Sequence, residues 1–223
     1  MVSAAREGTS YVLETSGAIL AQLENEGLAS RVELSINTAT SGVIDSRFPV
    51  FPLKYRILAI GPDCLTKEDT DPLPPCGVRQ QGMDVANALT ACHNRQPGAD
   101  WIVLLEDDFM PCDNHTLAVL MDTLNSLNPH KTKFARFTQG GGVVAFPAGK
   151  VLAYAKSVMD HILIKPCDRV LLEGWSTDKD FVFGRHLFKH IGTVSTIGYR
   201  NQAEFVHQYS GLRENECGTD IRV

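Results

Sequence analysis

The stretch Trp101-Ile102-Val103-Leu104-Leu105-Glu106-Asp107-Asp108-Phe109 constrains this chain most. Five apolar residues run without a polar break and stop abruptly at three acids. A run of this kind reads as a strand buried on both faces, the pattern of a parallel sheet covered by helices. Ligands of open α/β sheets gather beyond the carboxyl ends of such strands. Carboxylates placed there form a natural seat for a divalent metal.

The rest of the chain alternates helix and strand around this run. Residues 9–25 place Val12, Ser16, Ile19, Leu20 and Leu23 on one helical face, with Gly27 as the stop. Residues 31–37 and 55–60 read as short strands, the second ended by Gly61-Pro62. The proline-rich stretch 61–77 reads as a long loop that a Cys64–Cys76 disulfide would close. A helix is expected over 78–95, with Met83, Ala86, Leu89 and Thr90 inward. Beyond the acids, Asp113 or Asn114 caps a helix carrying Leu117, Leu120, Met121, Leu124 and Leu127 on one stripe. Strands follow at 134–138 and 143–146, separated by Gly140-Gly141-Gly142. A helix is expected at 149–162, and a shorter one opens at Lys165-Pro166. The tail from residue 184 contributes one strand. This alternation predicts a single α/β domain over residues 1–223 with a mostly parallel central sheet.

Composition narrows the class of partner. The net charge is −5 and the basic residues are dispersed, so neither nucleic acid nor an anionic membrane is favoured. No apolar run approaches the roughly 20 residues of a membrane-spanning helix, and no signal peptide opens the chain. Six cysteines lack any C-x-x-C pair, which argues against a zinc ribbon or a thioredoxin-like site. An even count permits disulfides in an oxidising compartment; buried thiols are the plainer reading. Asn114-His115-Thr116 is a glycosylation sequon that matters only in a secreted chain.

Asp107 and Asp108 are adjacent, and two carboxylates packed without a cation raise each other's pKa. A hard divalent ion removes that cost, and oxygen ligands suit Mg²⁺ or Mn²⁺. An ion with so few protein ligands completes its shell with substrate phosphates and water. The plainer reading is that the acids end a strand and cap the next loop. Gly140-Gly141-Gly142 is no P-loop, because no Gly-Lys-Ser/Thr follows. It either lets backbone approach a ligand closely or marks a bulge or hairpin.

Further stretches carry a resemblance. The Glu106-Asp107-Asp108 cluster resembles the metal motif of GT-A glycosyltransferases. Arg6-Glu7 with Ser10-Tyr11-Val12-Leu13-Glu14-Thr15 resembles the R-E-x-x-S-Y-L-x-x-T opening of one branch of them. That branch is the N-acetylglucosaminyltransferase IV type, together with the N-acetylgalactosaminyltransferase that modifies GPI anchors. Residues 79–84 are similar to its basic helix before the metal strand. Lys165-Pro166-Cys167-Asp168 resembles its K-P-x-D segment, and Leu187-Phe188-Lys189-His190-Ile191-Gly192 its L-F-x-H-x-G segment. The matches are short, but they occur in order over most of the chain.

The resemblance implies a Rossmann-like GT-A domain. It would move a sugar from a UDP-sugar, with inversion, to a glycan or glycolipid acceptor. UDP-N-acetylhexosamine is the implied donor, and Mn²⁺ or Mg²⁺ the implied cofactor. Asp108 would be the main metal ligand and His190 the second. Glu106 and Asp107 would shape the donor site, Arg79 would contact its diphosphate or uridine, and Asp84 would anchor a loop or touch the base. For the general base, Asp168 stands first, near a helix N-terminus whose dipole keeps it ionised. Asp178 and Asp180 are the alternatives, and Trp175 a candidate platform for the acceptor sugar. Each has a plainer role as well: a core histidine, a solvated arginine, a helix cap, a buried tryptophan.

Departures from that branch are also visible. The chain opens about where the first strand of a GT-A domain should have ended, so that strand is expected to be missing. The branch's lectin-like domain and membrane hairpin have no counterpart. An ER or Golgi lumenal location, with an anchor outside this chain, is expected ahead of a cytoplasmic one. The competing expectations are a non-catalytic glycan- or nucleotide-binding relative and a metal-dependent phosphohydrolase.

Overall fold

The computed structural model describes residues 1–3, 11–38, 76–138, 142–170, 181–183, 185–192 and 217–218. In chain order these form β1 (Val2–Ser3), α1 (Val12–Asn25), β2 (Asn37–Thr38), α2 (Cys76–Arg95), β3 (Trp101–Leu105) and β4 (Phe109–Pro111). There follow α3 (Thr116–Ser126), β5 (Phe134–Arg136), β6 (Val143–Pro147), α4 (Ala148–His161), β7 (Phe181–Phe183) and β8 (Phe188–His190). The expected strand at 55–60, the loop with Cys64, and Trp175, Asp178 and Asp180 lie outside the described residues.

The central sheet has the order β3-β6-β5-β7. Its strands alternate between two cores. Ile102, Leu104, Val144, Phe146 and Phe134 face one core, with α2 and α4 above them. Leu105, Val143, Ala145 and Ala135 face the other, with α1 and α3. Period-two alternation between two apolar layers is why β3 and β6 carry no polar residue. Phe146 stacks on Tyr154 of α4 with ring centroids 4.6 Å apart, and this contact anchors the first core.

Burial on both faces is as expected, but strand direction is not. β3 pairs with β6 antiparallel, β6 pairs with β5 antiparallel, and only β5 with β7 is parallel. The expectation of a mostly parallel, Rossmann-like sheet is therefore corrected for the described strands. The physical reason is that an unbroken apolar run reports helices on both faces of a strand. It does not report which way the neighbouring strand runs.

The helices fall close to their expected spans. Val12, Ile19 and Leu23 of α1 are buried. Gly27 ends α1 with φ +65°. The Leu28 N–H donates to Leu23 O at 2.8 Å and the Gly27 N–H to Glu24 O at 3.2 Å, a Schellman turn with Leu28 folded back into the core. In α2 the buried face is Val85, Ala86, Ala88 and Leu89, so Met83 and Thr90 sit at its margins. The first residue of α3 follows His115, with no side-chain cap. Asp113 instead orders the approach, accepting from the His115 N–H at 2.8 Å. The segment 31–37 pairs as a strand only at its end, where β2 lies parallel to β1.

Gly17 lies mid-helix on the exposed side of α1, with nothing within 4 Å of where a Cβ would stand. Gly17→Ala should stabilise the protein by roughly 0.5–1 kcal/mol by removing unfolded-chain entropy. Calorimetry should show Tm rising by about 1–4 °C; a fall would mean that α1 is not helical at this position.

Candidate active site

The acids occupy a tight turn between β3 and β4. The Glu106 N–H donates to Gly142 O at 2.9 Å, continuing the β3–β6 ladder by one residue. The Phe109 N–H then reaches back to Glu106 O at 3.3 Å. Asp107 and Asp108 fill the two central positions of this turn, a setting that aspartate favours. Both are buried, with relative exposures of 1% and 6%.

Helix α1 holds this turn from behind. The buried Thr15 hydroxyl donates to Asp107 O at 2.6 Å. Gln22, two turns further along the same face, donates to Asp113 O at 2.6 Å and accepts from the Leu117 N–H at 3.1 Å. Two polar residues on the inward face of α1 thus fix both ends of the β4 segment. Sequence reading had no assignment for either; the signal was a polar residue at a core position of the helix.

The second strand of the site is β8. It runs antiparallel to β4 with Phe109 opposite His190 and Pro111 opposite Phe188. The Ile191 N–H donates to Asp108 O at 2.8 Å, and the Cys112 N–H to Leu187 O at 2.9 Å. A disulfide between Cys112 and Cys217 closes the outer end of this pair.

This pairing sets His190 Nε2 3.2 Å from Asp108 Oδ2. A charge-assisted hydrogen bond is typically about 2.7–2.9 Å. Two ligands each about 2.1 Å from one ion, at a right angle, stand about 3 Å apart. In this structure the pair forms a hydrogen bond, and the same spacing is compatible with two ligands of one divalent ion. Among the described residues no three His, Cys, Asp or Glu side chains form a ready metal cage. An ion here would draw its remaining ligands from substrate and water.

Glu106 is a strongly perturbed acid. Desolvation first, then the charges of Asp108, Asp168 and Asp107, push its pKa from 4.5 to about 7, and His190 opposes them. Gln81 of α2 donates to its Oε1 at 3.2 Å, a partner not anticipated. Asp168 is exposed at the start of the helical residues 167–170. The Tyr154 hydroxyl ties that turn to α4 by donating to Cys167 O at 3.1 Å. The charges of Asp168 and Glu106 are both felt at Cys167, whose thiol is pushed up mainly by burial. The charge of Asp168 is thus felt at Glu106 as well, and the buried Cys167 is an inert thiol.

Other expected residues are not gathered in. Asp84 is buried on α2 and accepts from Gln80 of the same helix at 2.9 Å. Burial raises its pKa and that bond lowers it. Arg79 is half-buried in the first turn of α2. The described contacts join neither residue to the acids.

No family model matches this chain, and no curated protein matches it. Among solved structures, a glycosyltransferase involved in the glycosylation of the major capsid of PBCV-1 superposes with TM-score 0.49 at 10% identity, over 81% of this chain and 79% of that one. A likeness at this level assigns neither family nor activity, so the functional reading rests on the site's own residues.

The Glu106 shift has a testable sign. A carboxyl whose folded pKa exceeds its unfolded value adds stability that is full below the unfolded pKa, 4.5, and is lost as pH rises through about 7. Replacing it with glutamine removes that dependence. In metal-free buffer, Glu106→Gln should therefore gain on wild type by on the order of 1–2 kcal/mol between about pH 5 and pH 8. Thermal melts across that range check this, and a difference in Tm that stays constant with pH would contradict the raised pKa.

Proposed function

We propose that this chain is a GT-A-type glycosyltransferase domain. It transfers a sugar, N-acetylhexosamine by resemblance, from a UDP-sugar to a hydroxyl of a glycan or glycolipid. One observation carries the reading: Asp108 and His190, 82 positions apart, meet at 3.2 Å just beyond the end of the central strand. Both belong to stretches that resemble the same transferase branch. Mixed α/β layering with helices on both faces of the sheet is compatible with that reading.

In this reading Asp108 and His190 hold Mn²⁺ or Mg²⁺. The ion, when bound, neutralises the charge that develops on the departing nucleoside diphosphate. Asp107 and Glu106 shape the donor side of the site. Burial and the neighbouring carboxylates raise the Glu106 pKa, a cost that a bound cation would relieve. Asp168 is exposed and its charge is felt at Glu106; it is the carboxylate proposed to accept the proton of the incoming hydroxyl. Asp178 remains the alternative base. Arg79 is proposed to reach the donor diphosphate and Asp84 to brace the helix that carries it. The Cys112–Cys217 disulfide supports an oxidising compartment, and the ER or Golgi lumen is the proposed location. Among the described residues, no helix is long and apolar enough to cross a membrane.

Turnover of UDP-sugars by the full chain with Mn²⁺ tests the reading. Asp108→Ala and His190→Ala should each lower kcat/KM by about 100-fold or more. Asp168→Asn should lower kcat by roughly 10²–10⁴-fold with UDP binding retained. Unchanged kcat in Asp168→Asn would remove it as the base. Binding of UDP without any turnover would favour a non-catalytic relative.

A further inference from the structure

Glycine serves a chain in two ways: it tolerates positive φ, and it leaves out a Cβ. Gly27 and Gly218 are the described glycines with positive φ. Gly192 is not among them, so an alanine there meets no backbone strain. What Gly192 supplies is space. A Cβ built on it would stand 2.4 Å from Asp108 Oδ2, 2.8 Å from His190 Nε2 and 3.0 Å from Asp108 Cγ. Both of those ends are the atoms whose spacing defines the site.

A second glycine clears the neighbouring wall. A Cβ on Gly142 would stand 2.1–2.6 Å from three ring atoms of Phe109. That ring lies 5.0 Å from the His190 imidazole, tilted by 45°. The imidazole thus has the Phe109 ring on one side and the bare Gly192 backbone close by.

We propose that Gly192 is a positioning residue, whose missing side chain keeps the Asp108 carboxylate and the His190 imidazole at the spacing that one divalent cation requires. The proposal rests on the reading of these two residues as metal ligands. The atoms that a methyl would strike belong to side chains and not to backbone. The cheapest response is for Asp108 and His190 to turn away, while the ladder that supports them stays in place. Substitution should therefore separate binding from folding.

The test titrates Mn²⁺ into the full chain by electron paramagnetic resonance, with and without UDP, and records Tm without metal. Wild type, Gly192→Ala and the control Gly149→Ala are compared. Gly149 is suitable because nothing lies within 4 Å of its Cβ position. Gly192→Ala is expected to melt within a few degrees of wild type and to bind Mn²⁺ at least about tenfold more weakly. Gly149→Ala should bind like wild type. If Gly192→Ala is strongly destabilised, the triple variant that adds Asp108→Ala and His190→Ala should recover Tm, because the methyl then meets neither the carboxylate nor the imidazole. Failure of that recovery overturns the proposal, as does wild-type Mn²⁺ affinity in Gly192→Ala. Absence of Mn²⁺ binding by wild type overturns the metal reading itself, and the proposal with it.

Discussion

Phe109 faces His190 across the β4–β8 ladder, and that register decides where the imidazole stands relative to Asp108. Side chains alternate along a strand, so a slip of one residue would send His190 to the opposite face and bring Lys189 toward the acids. A ladder of three residues is too short to hold its own register. Here it is fixed from several sides. Phe188 is buried in the second core at 2% exposure. The Thr116 hydroxyl donates to Leu187 O at 3.3 Å, and the Gly218 N–H to His186 O at 2.8 Å. The Cys112–Cys217 disulfide then clasps residues 217–218 to the same strand pair. The site inherits its geometry from these contacts, none of which involves an acid.

The acids, for their part, lie outside both apolar cores. Asp107 and Asp108 are removed from water, and Glu106 holds its proton up to about pH 7 because its neighbours are negative and its surroundings dry. Thr15 and Gln22 bind backbone carbonyls and an N–H of this segment, so they fix its path without neutralising a carboxylate.

Much of this was legible in the sequence, and the gaps have physical causes. The bounds of β3 follow from an apolar run with sharp ends, and α1, α2 and α4 from their apolar stripes. Direction was not legible, because layers of helix on both faces impose the same run on parallel and antiparallel strands. The Asp108–His190 meeting was reached through resemblance; composition and spacing alone gave no reason to join two residues so distant. The partner of Cys112 was not legible either, since a cysteine count leaves connectivity open. Thr15 and Gln22 were visible as polar interruptions of a core-facing stripe, but the stripe alone does not say that they reach into another loop. Gly192 stood inside a quoted motif, and its role needed the distances to Asp108 and His190.

Whatever the strand direction, the three acids follow directly on the end of β3, and the reason is geometric. An apolar strand must leave the core where its polar residues begin, whichever way its neighbours run. The antiparallel neighbour nevertheless changes what the site is made of. A parallel partner would end beside Leu105; here β6 begins there, opposite it at Val143. The residue before that start, Gly142, accepts the Glu106 N–H and leaves room for the Phe109 ring. That ring in turn packs against His190. The start of one strand, the end of another and a bare glycine after β8 therefore meet around one carboxylate–imidazole pair. The break at Gly142 is thus part of the site, and the antiparallel arrangement is what brings it there.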